Sequence, residues 1–171
     1  MKTQSRSIAQ LSALLQSGAL DPVALAEETL AAAEAYPDGA VFTTLLKERA
    51  RGEAEASRRR TREGRSLGVL EGMPIAWKDL FAIEGLPTTA GSRVLQGDTP
   101  ESRDAAVVRA LADAGMVSVG RVNMSEFAFS GLGINPHYGT PRNPASPSLA
   151  RRMRVPSSIP LGISTESLRS S

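Results

Sequence analysis

The sequence predicts an α/β fold, with N-terminal helices preceding a parallel or mixed sheet that other helices cover. Two observations predict it. Apolar residues recur at helical spacing through the first 65 residues, and a strand–helix–strand succession runs from Gly72 to Gly120. Ile8, Leu11, Leu14 and Leu15 share one helix face, and Gly18 is a natural C-terminal stop. Asp21-Pro22 restarts the chain, because aspartate accepts from free N–H groups and proline in the first turn wastes no donor. Val23, Ala26, Leu30 and Ala33 carry this second helix to the turn Tyr36-Pro-Asp-Gly39. A short apolar run, Ala40 to Leu46, leads into a charged helix that ends near Gly64. Gly72 to Ile83 then reads as a buried strand, entered through a Gly-Pro turn and left through Gly85-Leu-Pro87. Asp104 to Ala114 is amphipathic, with Val107, Val108, Leu111 and Ala114 on one side, and Met116 to Gly120 is the next strand. Such a succession is a parallel crossover unit, right-handed by default. After Tyr138 no aromatic residue occurs, and prolines and serines recur, so 145–171 is expected to be an irregular tail.

Composition limits the chemistry. The chain has 171 residues, 41% hydrophobic and 22% charged, with a net charge of +2. That suits one domain or a little more, with enough apolar residues for a core. The absence of cysteine excludes disulfide frameworks, zinc ribbons and thiol nucleophiles. A single histidine, His137, leaves little room for a His-rich metal site. Neither a G-x-G-x-x-G turn nor a G-x-x-x-x-G-K-[ST] loop is present, so no cofactor is expected. No stretch approaches the roughly 18 apolar residues of a membrane span, and a cytoplasmic protein without membrane contact is expected. Arginine dominates the basic residues, and Arg58, Arg59 and Arg60 run together. Glu48, Glu53, Glu55 and Glu63 interleave there without any aromatic residue, which reads as a solvated helix face rather than a nucleic-acid surface.

Lys78 is the sharpest chemical feature. It stands in an apolar strand beside Ile75, Ala76 and Trp77, in a chain that otherwise prefers arginine. Burial disfavours an ammonium, so such a lysine is a candidate general base, a task the permanently protonated arginine cannot perform. The competing reading puts Lys78 on a solvated strand face, or pairs it with Asp79 or another acid. A lysine base needs a hydroxyl nucleophile, and the tail is rich in serine. His137, in the turn-like stretch Asn135 to Gly139, is either a partner for a Ser-His arrangement or a loop histidine without catalytic work.

Several ordered blocks resemble the amidase signature family. Gly72-Met-Pro-Ile-Ala-Trp-Lys78-Asp79 followed by Gly85-Leu-Pro-Thr-Thr-Ala-Gly-Ser92 is similar to that family's entry segment. Asp104-Ala-Ala-Val-Val-Arg109, Ala114 to Gly120 and Asn123-Met-Ser-Glu-Phe127 continue it in order. Asn135 to Pro144 resembles the loop that precedes the family's serine-rich signature. The resemblance covers roughly residues 5 to 144. It implies amide hydrolysis by a Ser-Ser-Lys triad, in which the lysine takes a proton from a bridging serine and that serine activates the nucleophilic one. The product is a carboxylate with ammonia or an amine, and the partner is a small amide. Lys78 matches the family's lysine. Where the family reads Arg-x-Pro-Gly-Gly-Ser-Ser-x-Gly-Ser, this chain has Arg154-Val-Pro156-Ser157-Ser158. Where it reads Thr-Asp-Thr-Gly-Gly-Ser-x-Arg, this chain has Thr165-Glu166-Ser167-Leu168-Arg169. The resemblance therefore sets Ser157 or Ser158 at the bridging position and Ser167 at the nucleophile, without the glycines that shape a nest of N–H donors.

On this resemblance the chain divides into an N-terminal helical segment (1–65), the first part of an amidase α/β core (66–144) and the serine- and proline-rich tail (145–171). It reads as a truncated family member, the first third of an amidase with an incomplete sheet. Two alternatives stand beside this reading: a non-catalytic fragment or interaction module, and the A subunit of glutamyl-tRNA(Gln) amidotransferase. An incomplete sheet is expected to self-associate through its unpaired edge.

Overall fold

The computed structural model describes residues 6–143 and 146–150. Helix α1 (Ile8–Gln16) opens with a capping box: the Ser7 hydroxyl accepts from the Gln10 N–H, and the Gln10 side chain accepts from the Ser7 N–H. Helix α2 (Pro22–Glu34) starts as its sequence dictates. Asp21 Oδ1 accepts from the N–H groups of Val23 and Ala24 at 2.8 and 3.1 Å, and Pro22 fills the first turn. Strand β1 (Phe42–Leu45) occupies the apolar run before the charged helix α3 (Lys47–Arg62). Strand β2 (Pro74–Lys78), helix α4 (Ala106–Asp113) and strand β3 (Val117–Val122) form the crossover unit.

The three-stranded sheet has the order β1-β3-β2, with β3 parallel to β2 and antiparallel to β1, so the sheet is mixed. Val117, Val119 and Ala76 meet Ala26 and Leu30 of α2 and Ala50 and Ala54 of α3. Those alanines let two helices lie close over β3. Ile75 and Trp77, on the opposite face of β2, join Leu11 and Leu15 of α1, Leu25 of α2 and Val108 of α4 in a larger cluster. A bulge at Val119 offsets β3 against β2, since Ile75 pairs with Ser118 and Ala76 with Gly120. Beyond the end of β1 the Ser118 N–H has no strand to meet, and Glu53 of α3 accepts it at 2.6 Å.

Three expectations change. The segment from Gly72 to Ile83 is not one long strand. It ends at Lys78, whose carbonyl accepts from both Leu80 and Phe81 N–H groups as the chain turns away. The run Ala40 to Leu46, read only as a connection, contains a strand. The start of the segment read as an irregular tail is also paired: strand β5 (Ser146–Ala150) runs antiparallel to β4 (Arg142–Asn143). The charged helix α3 is laced by ion pairs, as mixed-sign helices are. Arg51 pairs with Glu27, Arg58 with Asp21 and Glu55, and Arg60 with Glu71. No helix among the described residues is long and apolar enough to cross a membrane.

Candidate functional site

Lys78 is the last residue of β2, at the carboxyl end of the parallel pair β2–β3, which is where open α/β sheets place their ligand crevices. Strand alternation puts it on the face of Ala76, opposite Trp77, and it is half-buried. Its side chain makes no hydrogen bond or ion pair with any described residue.

Asp79, the neighbour that sequence offered as an ion-pair partner, points the other way. Its carboxylate is fully buried, with Oδ1 3.1 Å from Nη1 of Arg121, itself 4% exposed. Arg121 faces Trp77 in the register and reaches along the sheet face to the end of β2. This is an ion pair rather than a hydrogen bond: Arg121 Nη1 donates to the Pro87 carbonyl at 2.7 Å, and Asp79 Oδ1 has no hydrogen-bond donor among the described residues. Asp79 Oδ2 accepts from the Thr89 hydroxyl and from the Gly91 N–H at 3.3 Å. The turn 87–91 is thereby fastened to the end of the lysine-bearing strand.

The segment that leaves β3 meets the same turn. Asn135 is buried and uses its whole amide: Nδ2 donates to the carbonyls of Gly91 (2.7 Å) and Met124 (2.8 Å), and Oδ1 accepts from the His137 and Tyr138 N–H groups. The approach is close enough that a Cβ on Gly91 would stand 2.9 Å from Asn135 Nδ2 and from the Met124 carbonyl. Asn123 binds the same loop from its other side, donating to the carbonyls of Ala40 and Gly139 at 3.0 and 2.8 Å.

His137 sits in this loop with its Nε2 3.0 Å from Glu126 Oε1, an oxygen that also accepts from the Ser92 hydroxyl at 2.6 Å. Ser92 and His137 each bind the carboxylate and not one another, so this trio is a tie between loops and lacks the order of a Ser-His-acid relay. The Ser92 hydroxyl, with His137 beside it, holds the Glu126 carboxyl below its ordinary range.

Of the candidate catalytic residues, Lys78 is therefore placed at the strand end. Ser157, Ser158 and Ser167 lie outside the described residues. Reading the sequence missed Arg121, Asn123 and Asn135. Each is a polar residue whose partners lie mostly far along the chain, so no local pattern marked it. No group of three or more His, Asp or Glu residues able to hold a metal ion occurs among the described residues.

Known proteins share this architecture. The amidase family model matches residues 24–151. The A subunit of glutamyl-tRNA(Gln) amidotransferase from Chloroflexus aurantiacus is 41% identical over 137 residues, covering 80% of this chain and 28% of that protein. The AtzE subunit of 1-carboxybiuret hydrolase from Pseudomonas sp. (strain ADP) is 42% identical over 132 residues, covering 76% of this chain and 29% of that one. Among solved structures, a bacterial aryl acylamidase of the amidase signature enzymes superposes with a TM-score of 0.79 at 27% identity, covering 85% of this chain and 31% of its own. The chain thus spans less than a third of the length of these relatives.

Proposed function

The chain belongs to the amidase signature family, and we propose that it carries the lysine-bearing part of a carboxylic-amide hydrolase acting by a Ser-Ser-Lys triad. Lys78 is the proposed base. The observation that carries this reading is the division of labour at the end of β2: Arg121 takes Asp79, and Lys78 is left without a carboxylate among the described residues. A neutral Lys78 amine would accept the proton of the bridging serine, Ser157 or Ser158, as that oxygen takes the proton of Ser167. Ser167 Oγ would then bond to the amide carbon and expel ammonia or an amine, which receives a proton back through the same groups. Water would release the carboxylate. Backbone N–H donors at the oxyanion contribute several kcal/mol in such reactions. A small amide is the proposed substrate and the cytoplasm the proposed location.

The test is hydrolysis of simple aliphatic and aromatic amides by the purified chain. Turnover that disappears in Lys78→Ala, in protein with unchanged circular dichroism, supports the proposal; a folded parent without turnover rejects it. The relatives include both an amidotransferase component and amide hydrolases, so glutamine belongs in the substrate panel. A second reading, a non-catalytic module that self-associates, is favoured by the open side of β2, which no described strand covers.

A further inference from the structure

Asp79 and its contacts do more than fill a buried space. The carboxylate joins three parts of the chain: its own strand end, the turn 87–91 through Thr89 and Gly91, and β3 through Arg121. The Gly91 carbonyl passes the connection to Asn135, and Asn135 passes it to the His137 and Tyr138 N–H groups. Where the turn 87–91 meets the short helical turn Glu126–Ala128 that follows β3, three non-glycine residues hold left-handed backbone: Ala90 (φ 49°), Phe127 (φ 52°) and Ala128 (φ 57°). Phe127 N–H donates to the Ala90 carbonyl at 2.8 Å, so the strained residues face each other. Such conformations persist only where the surroundings over-determine them.

We propose that Asp79, neutralised by Arg121, is the positioning residue for Lys78, coupling the lysine-bearing end of β2 to the Asn135–Thr140 loop through Thr89, Gly91 and Asn135. This rests on the reading of Lys78 as the base. The loop it reaches precedes, in sequence, the segment that carries Ser157, Ser158 and Ser167. Lys78 shares a peptide bond with Asp79, whose N–H donates to the Val122 carbonyl at 3.0 Å and whose carboxylate is tied to Arg121, Thr89 and Gly91, so displacement of the strand end strains these contacts together.

Hydrogen exchange and lysine resonances in the whole 171-residue chain test the coupling. Only Lys2, Lys47 and Lys78 contribute to the spectrum of a lysine-labelled sample, and Lys47 is paired with Glu34. In Thr89→Val the charges are unchanged and only the hydroxyl is lost. There the His137 and Tyr138 amides, remote from the substitution, exchange on the order of threefold faster, and the Lys78 ε-carbon signal shifts or broadens while that of Lys47 does not. Asp79→Asn gives on the order of tenfold faster exchange at the same amides, the loss expected for contacts to a charged group. Thr89→Ser restores the parent behaviour. In the parent, the Asp79, Gly91, His137 and Tyr138 amides open with one shared free energy, a measurement that needs no variant to fold. Separate openings in the parent overturn the proposal. So do a folded Thr89→Val with unchanged remote amides and an unchanged Lys78 signal. Absence of amide turnover with the coupling intact rejects the proposed function alone; turnover without coupling rejects only the role of Asp79.

Discussion

Glu71 and Gly115 illustrate how single residues set this fold. Glu71 is buried just before β2 and accepts from Arg60 at 2.7 Å and from the Leu67 N–H at 2.9 Å. Burial pushes its carboxyl up, but Arg60 and the Leu67 N–H outweigh that and hold it below the ordinary range. The carboxylate lies against Gly115, whose φ is +90° and whose added Cβ would stand 2.7 Å from Glu71 Oε1. Gly115 also accepts the Gly72 N–H at 2.8 Å, so neither backbone can retreat freely. Gly115→Ala therefore combines a left-handed backbone with a clash against a buried ion pair. A loss of about 2–4 kcal/mol is expected, read as a lower denaturation midpoint with an unchanged m-value. Gly97, in open space and without a positive φ, is the control: Gly97→Ala leaves the midpoint in place.

The start of α2 shows the same logic for an element. Asp21 caps two N–H groups and pairs with Arg58 of α3 at 2.8 Å, so one carboxylate both begins a helix and fastens it to its neighbour. The Arg58 guanidinium, ahead of the capped N–H groups, holds this carboxyl below its ordinary 3.8. Its contribution is complete above about pH 4 and disappears as pH falls through the depressed folded-state value. Asp21→Ala is expected to cost about 1 kcal/mol at neutral pH. The gap between parent and variant should narrow below pH 4, measured as denaturation midpoints across that range; a gap independent of pH would count against the assignment. This cap was legible in Asp21-Pro22, as were α3 and the crossover unit, because periodicity and caps are local. The end of β2 was not. Lys78 stood out by type, but whether it paired with Asp79 depended on Arg121, which arrives from β3 with no local signal in the sequence. The Asn135 ties escaped for the same reason: an asparagine before a proline reads as a turn, and only tertiary contact reveals that all its hydrogen bonds are used. The lysine was thus visible in advance and the contacts of Asp79 beside it were not.

At the scale of the whole molecule, β1 and β2 are the two edges of the sheet among the described residues, and the β2 edge is the one that carries Lys78. The Met73 carbonyl and the Asp79 N–H bond to β3, so in a parallel ladder the odd residues of β2 face that partner and Pro74, Ala76 and Lys78 face outward. Pro74 has no N–H, and the Lys78 carbonyl is taken by Leu80 and Phe81. The edge thus offers little more than the Pro74 carbonyl, the Ala76 N–H and carbonyl, and the Lys78 N–H. Pairing through so short an edge is weak by itself. Apolar side chains near the other loops add a second adhesive feature: Phe129 is 96% and Val94 80% exposed, with Phe127, Leu132 and Ile134 about half exposed. Self-association is expected, visible as concentration-dependent sedimentation, and the two features separate by mutation. Ala76→Pro removes the central outward N–H while leaving the bonds to β3 intact, a substitution edge strands tolerate. Phe129→Ser removes the most exposed ring. If the β2 edge drives association, Ala76→Pro yields a monomer and Phe129→Ser reduces association only in part. Association lost in Phe129→Ser alone would assign it to the apolar loop, and a parent that stays monomeric at every concentration, with a cooperative melt, would remove self-association altogether.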